Sequence, residues 1–293
     1  MSVETVLVVG SGLMGSGIAQ VCAQAGLRVW VHDVSGAALE RARQEIARSV
    51  GKLAEKGRIT EPAEAVLGRI RFADDLEAAA EADLAVEAVF ENLAVKREVF
   101  GRLGVTCRPE ALLATNTSAI PVSQIAEAAV RPERVLGLHF FSPVPLMQAV
   151  EVVAGYATSE ETLEAGRQFA RDIGKEPILV RRDVAGFVLN RINLPSTIEA
   201  MRLVEKGVAS PEDIDKGVKL ALGRKMGIFE TGDLVGLDVT FGALTALYEE
   251  TKDPRWYPPM ILRRKVAAGH LGRKTGQGWY AYDTDGNRKE QAK

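Results

Sequence analysis

His139 and Glu151 lie twelve positions apart in LGLHFFSPVPLMQAVEVV, residues 136–153, a run whose only other polar side chains are Ser142 and Gln148. The chain has three histidines, and one of them stands in this apolar stretch. An imidazole in such surroundings needs a hydrogen-bond partner, and a carboxylate needs one more urgently. Two readings are open on the residues alone. One is a structural His–Glu pair, or two unrelated residues. The other is a general base oriented by an acid, because an imidazole exchanges its proton near neutral pH and a carboxylate fixes its tautomer. Hydride removal from an alcohol carbon requires such a base for the hydroxyl proton.

A second group of residues points to the hydride acceptor. GSGLMG, residues 10–15, follows an apolar β-branched run and opens a helical pattern, the context that gives G-x-G-x-x-G its meaning. Gly10 permits the tight turn, Gly12 lets backbone approach a pyrophosphate, and Gly15 allows close helix–strand packing. Leu13 and Met14 complete the loop at the helix N-terminus, which faces the anion. Asp33, eighteen residues past Gly15, ends the next strand pattern. A carboxylate there accepts from a ribose 2′-hydroxyl and repels a 2′-phosphate, which favours NAD over NADP. The alternative is a plain glycine turn followed by a helix-capping Asp33.

These residues need a scaffold, and the patterning supplies one. Strand-like runs at 6–9, 29–31, 84–89, 112–115 and 135–140 alternate with helical ones at 13–25, 94–103 and 122–129. Such alternation predicts a parallel sheet with helices on its faces. Residues 37–57 break the rhythm with a long Arg-, Glu- and Lys-rich helix, followed by a second helical stretch at 61–67 and a strand at 70–72. This insertion reads either as a helical pair with a solvated charged face or as a projecting arm that reaches an acidic ligand. After Asp183 the strand signals fade, and residues 186–206, 211–222 and 237–250 read as helices. Ser210, Pro211, Glu212 and Asp213 form a helix start, with a cap, a proline at the first position and acids in the first turn. A boundary near residue 183 therefore separates an α/β part from a helical part.

Composition narrows the function class. Of 293 residues, 46% are hydrophobic and 26% charged, enough for sizeable cores. A net charge of −2 gives no basic excess for nucleic acid or an anionic membrane. No run approaches a membrane span, and MSVETVLVVG lacks the basic region of a signal peptide. Cys22 and Cys107 sit in apolar contexts without CxxC spacing, so a reduced, cytoplasmic setting is expected and no metal is expected.

Taken together, the ordered motifs are similar to those of the L-3-hydroxyacyl-CoA dehydrogenases. The resemblance covers essentially the whole chain: the glycine loop, VEAVFENLAVKREVF (86–100), TNTSAI (115–120), GLHFFSPVPLMQAVEVV (137–153), DVAGFVLNR (183–191), MGIFETGDLVGLD (226–238) and GRKTGQGWY (272–280). It implies a Rossmann-type doubly wound NAD-binding domain over residues 1–183, with the helix-hairpin insertion, then an all-α substrate and dimerisation domain over 184–293. It implies His139 as the base, Glu151 as its orienting acid, and Ser118 and Asn190 as hydrogen-bond partners of the substrate. Asp33, Glu91, Lys96, Asn116, Ser118, Ser142 and Lys274 stand where relatives contact NAD, and Ser49 and Lys56 where they contact CoA. The bland alternatives are helix caps for Asn116 and Ser118, and solvated surface charges for Lys56, Lys96 and Lys274. Three positions depart from the family pattern: Ser142 replaces a common asparagine, and Ala185 and Ile228 replace common prolines. The implied partners are an acyl-CoA substrate and a second copy of the chain, with no nucleic acid and no membrane. Two other readings stand beside this one: a related NAD-dependent dehydrogenase of a hydroxy acid or sugar acid without CoA, and a non-catalytic protein of the same fold.

Overall fold

The computed structural model describes residues 3–289. They fall into two compact units, one ending at Phe187 and the other beginning at Val188.

The first unit is built on one sheet of eight strands: β1 (Thr5–Val9), β2 (Arg28–His32), β3 (Ile70–Ala73), β4 (Leu84–Glu87), β5 (Leu112–Thr115), β6 (Val135–Phe140), β7 (Ala149–Ala154) and β8 (Glu176–Val180). Their order is β3-β2-β1-β4-β5-β6-β7-β8. The first six run parallel, as the alternating pattern predicts. β7 turns back antiparallel to β6, and β8 follows β7 in parallel. This reversal was not predicted, because residues 136–153 read as one apolar run. Val6, Leu7 and Val8 are fully buried, as strands covered on both faces require.

The helices of this unit are α1 (Leu13–Gln24), α2 (Gly36–Glu55), α3 (Ala63–Leu67), α4 (Leu93–Thr106), α5 (Val122–Ala126) and α6 (Glu160–Asp172). In α1 the small residues Gly15, Ser16, Gly17 and Ala19 are buried and let the helix lie close to the sheet. α2 and α3 are the inserted pair. Leu39, Ala42, Ile46 and Val50 of α2 recur at helical spacing and are buried, and Leu39, Ile46 and Val50 join the core formed with β1, β2 and β4. The opposite face carries exposed Arg41, Gln44 and Arg48. α2 is thus docked along one stripe and solvated along the other. Arg69 fastens the end of the insertion, pairing in a bidentate manner with Glu61 and donating to the Ala23 carbonyl.

The second unit is helical: α7 (Leu189–Glu205), α8 (Pro211–Leu222), α9 (Ile228–Val235), α10 (Leu237–Thr251) and α11 (Met260–Ala267). α7 starts three residues later than its sequence pattern. Gly186 and Phe187 adopt φ of 77° and 45°, a left-handed conformation that cannot enter a right-handed helix. α8 begins as its sequence signals, with the Ser210 hydroxyl accepting from the Asp213 N–H. Two buried carboxylates organise the unit. Asp215 accepts from Phe229 N, Glu230 N and the Tyr280 hydroxyl. Asp233 accepts from Trp279 N, Tyr280 N and the Tyr282 hydroxyl.

Candidate active site

The carboxyl ends of β1, β4, β5 and β6 line up along one edge of the sheet, and β1 and β4 are neighbours although far apart in sequence. Strand order reverses there, with β2 and β3 on one side of β1 and β4, β5 and β6 on the other, and such a switch point is where open α/β sheets bind their ligands.

The glycine loop leaves β1 at this edge. Gly10 has φ of 101°, and a Cβ on it would stand 2.7 Å from the Ala88 carbonyl oxygen. A Cβ on Gly15 would stand 1.8 Å from the Gly10 carbonyl oxygen. Any side chain at either position would break the turn. Gly12 differs: a Cβ there would meet nothing within 4 Å. It is the N-cap of α1 and supplies no side-chain cap, so the first N–H groups of the helix, at Leu13 and Met14, face open space. The cradle fits a pyrophosphate.

Asp33 stands beside it at the end of β2. Its Oδ2 accepts from Ser11 N at 2.9 Å and Ser11 Oγ at 2.8 Å, and its Oδ1 accepts from Ser35 N at 3.0 Å. One acceptor site on Oδ1 is left for a ribose hydroxyl. Partial burial pushes the Asp33 carboxyl up, but the Ser11 and Ser35 donors outweigh it and hold the group below its usual range. Asp33 is not the cap of the next helix, because the Ser35 hydroxyl takes that place on Ala38 N.

β6 and β7 bring the central pair together. Their antiparallel register sets His139 opposite Glu151, and facing residues of such a pair project to the same side. His139 Nδ1 and Glu151 Oε2 are 2.7 Å apart, with His139 only 3% and Glu151 0% exposed. A carboxylate only accepts, so Nδ1 carries the hydrogen and Nε2 presents its lone pair. Ser118 Oγ lies 3.0 Å from Nε2. The rings of Phe141 and Phe187 flank the imidazole at centroid distances of 4.5 and 5.5 Å and keep its surroundings apolar.

The turn that carries Ser118 follows β5 and is held by Glu91. Glu91 Oε1 accepts from Thr117 Oγ1, Ser118 N and Ala119 N at 2.7, 2.9 and 2.8 Å. Burial works to raise the Glu91 carboxyl, and the Lys96 charge together with these donors overcomes it and lowers the group. Lys96 is not a solvated surface charge: it is 1% exposed, with Nζ 2.7 Å from Glu87 Oε1 and 3.3 Å from Glu91 Oε2. Asn116 Oδ1 accepts from Phe140 N, joining the end of β5 to the end of β6. Neither Asn116 nor Ser118 caps a helix, since α5 starts at Val122 with Pro121 as its cap residue.

The remaining candidates are dispersed. Ser142 is half-buried in the β6–β7 connection. Ser49 is half-buried on α2, and Lys56 is exposed at its C-cap. Asn190 and Lys274 belong to the second unit. Asn190 is half-buried in the first turn of α7, and Lys274 pairs with Asp238 at 2.7 Å. Glu87 was missed by the sequence reading. It is fully buried and accepts from Lys96, Val89 N and Thr115 Oγ1. The signal existed: a glutamate inside the strand-like run 84–89 poses the same question as Glu151 in its own run.

Two family models match the chain in tandem: the NAD binding domain of 3-hydroxyacyl-CoA dehydrogenase over residues 5–184, and the C-terminal domain of 3-hydroxyacyl-CoA dehydrogenase over residues 186–282. The chain is 46% identical over 275 residues to a probable 3-hydroxybutyryl-CoA dehydrogenase of Deinococcus radiodurans, covering 94% of this chain and 99% of the relative. Among solved structures it is similar to Mycobacterium tuberculosis FadB2, with a TM-score of 0.92, 40% identity, and coverage of 97% of this chain and 100% of that one. It is also similar to the (S)-3-hydroxybutyryl-CoA dehydrogenase PaaH1 of Ralstonia eutropha, with a TM-score of 0.87, 38% identity and coverage of 97% and 100%.

Proposed function

The chain belongs to the 3-hydroxyacyl-CoA dehydrogenase family of NAD-dependent oxidoreductases, and from that premise we propose that it interconverts short-chain L-3-hydroxyacyl-CoA and 3-ketoacyl-CoA. The observation that carries the proposal is the Glu151–His139–Ser118 chain at the edge of the sheet where the glycine loop also opens. Bound NAD supplies the acceptor for the hydride.

In this reading His139 Nε2 takes the proton of the substrate hydroxyl, and returns it to the ketone oxygen in the reverse direction. Glu151 keeps the ring in the tautomer that allows this and stabilises the imidazolium that forms. The apolar surroundings of the pair strengthen that attraction. Ser118 Oγ, within reach of Nε2, holds the substrate 3-oxygen beside the base. Asn190 is a further hydrogen-bond partner of the substrate. Asp33, Asn116, Ser142, Glu91, Lys96 and Lys274 serve the cofactor side, with Lys96 acting from within through its pairs with Glu87 and Glu91. Ser49 and Lys56 are seven residues apart, two turns along one face of α2, and hold the CoA moiety. Residues 1–183 form the NAD-binding domain and residues 184–293 a substrate and dimerisation domain, of a homodimer in the cytoplasm.

The test is NADH formation from L-3-hydroxybutyryl-CoA, run beside the D-isomer, the free acid and a longer L-3-hydroxyacyl-CoA. Turnover of the L-thioesters alone is expected. Equal turnover of the free hydroxy acid would move the substrate outside the CoA class. Turnover of none, with NADH still bound, would sink the catalytic reading.

A further inference from the structure

We propose that Lys175 is a positioning residue for proton transfer at His139, acting through the connection between β6 and β7. Lys175 lies in the turn between α6 and β8 and is 7% exposed. Its Nζ donates to the Val144 carbonyl at 2.8 Å and to the Met147 carbonyl at 2.7 Å. No carboxylate pairs with it among the described residues. Burying an ammonium is costly unless its hydrogen bonds replace the lost water, so its placement calls for a reason. The two carbonyls supply one. They belong to a turn, closed by Leu146 N and Met147 N on the Pro143 carbonyl, which has no ladder to satisfy them.

That turn joins the two strands that carry the base and its acid. His139 is one residue from the end of β6, and Glu151 is the third residue of β7. The entry is tied by Phe140 N to Asn116 Oδ1 and the exit by Glu176 N to the Gln148 carbonyl. Lys175 holds the stretch between them. Val144 is in turn pressed against α1: a Cβ on Gly17 would stand 2.8 Å from the Val144 Cβ. The ammonium thus holds the connection against the helix that opens at the glycine loop, just beyond the ladder that sets His139 opposite Glu151 at 2.7 Å. Burial pushes the Lys175 pKa down, opposed by the neighbouring Cys22 thiol. Gln24, Arg58, Glu61 and Asp172 share with it the wall of a cavity of about 500 Å³, and the donors on the Val144 and Met147 carbonyls come from Lys175.

This inference rests on His139 as the base, and the experiment separates the two. The native chain, Lys175→Met and Lys175→Arg are assayed with L-3-hydroxybutyryl-CoA and NAD, with NADH affinity by fluorescence titration and hydrogen exchange of residues 141–148. Lys175→Met is expected to lose at least tenfold in kcat, to exchange tenfold faster in 141–148 alone, and to keep NADH affinity within threefold. Lys175→Arg, which keeps a cationic donor, is expected to recover at least half of that loss on a logarithmic scale. Should the methionine variant not fold, Lys175→Gln against Lys175→Arg decides, with the charged variant expected to be the more active. An active native chain beside a Lys175→Met variant within twofold in kcat, or an arginine variant no better than glutamine, would overturn the inference and leave the function standing. A native chain inactive on every thioester would overturn the functional reading instead.

Discussion

At His139 the imidazole meets three groups with distinct tasks. Glu151 binds Nδ1, Ser118 touches Nε2, and Phe141 and Phe187 keep the site apolar. Substituting the base and substituting its acid have different expected consequences. His139→Ala removes the proton acceptor and should lower kcat by roughly 10²–10⁴-fold, with NADH affinity retained because the glycine loop and Asp33 are untouched. Glu151→Gln is the more informative change. A glutamine oxygen can still accept from Nδ1, so the ring keeps its place, but the imidazolium loses its counter-charge. The expected outcome is a kcat loss with little change in KM, measured by steady-state kinetics from pH 6 to 9. Near-native turnover in both variants would dismiss the pair as structural. The two residues were visible in the sequence because polar side chains are rare in residues 136–153. Their pairing was one of the open readings and is what the family resemblance implies, but the backbone geometry that produces it was not legible. It depends on the reversal of β7 and on register, which an apolar run conceals because every position in it is compatible with either strand direction.

Element by element, legibility followed local chemistry. The helix starting at Pro211 was read to the residue, because Ser210, Pro211, Glu212 and Asp213 act within one turn. Five of the six parallel strands were read from alternation, and β3 from its own apolar run after the insertion. α6, α9 and α11 were missed, along with β7 and β8; in β8 the exposure alternates and Pro177 interrupts the apolar pattern. α2 shows both sides of the problem. Its length and charge were plain, and its buried stripe explains why it is a docked element. Ile46 is 2% exposed, so Ile46→Ala should destabilise the first unit by about 2–5 kcal/mol, measured by urea denaturation. Lys56 lies on the exposed part of the same element, so Lys56→Ala should leave stability within about 0.5 kcal/mol. If α2 holds CoA, that variant should raise KM several-fold for the CoA thioester and leave it unchanged for a pantetheine thioester lacking the nucleotide. A uniform rise for both would take Lys56 out of the CoA site.

Across the molecule, carboxylates held by several donors give stability a pH dependence whose sign can be worked out. Burial tends to raise Glu91 and Asp83. Lys96 and the Thr117, Ala119 and Ser118 donors reverse this for Glu91, and Glu4 N, Thr5 N and Arg108 reverse it for Asp83, so both end below their usual 4.5 and 3.8. The unfolded chain then binds more protons than the folded one in the acid range. Their stabilisation is full above those usual values and is lost as pH falls through the lower folded ones. Asp233 in the second unit works the other way. Burial outweighs its donors and raises it, so the folded state holds its proton more tightly, and this contribution weakens as pH rises through the raised value. The chain as a whole should therefore lose first-unit stability on acidification below about pH 4.5, while Asp233 resists that loss in the second unit. Urea melts at intervals from pH 7 to pH 3, followed by hydrogen exchange in each unit, distinguish the two. Glu91→Gln should flatten the first unit's acid slope and lower its stability at pH 7, because Lys96 then keeps only Glu87 and the Ser118 turn loses its charged acceptor. An unchanged slope would mean that Glu91 does not organise that turn, and the support inferred for Ser118 beside His139 would fail with it.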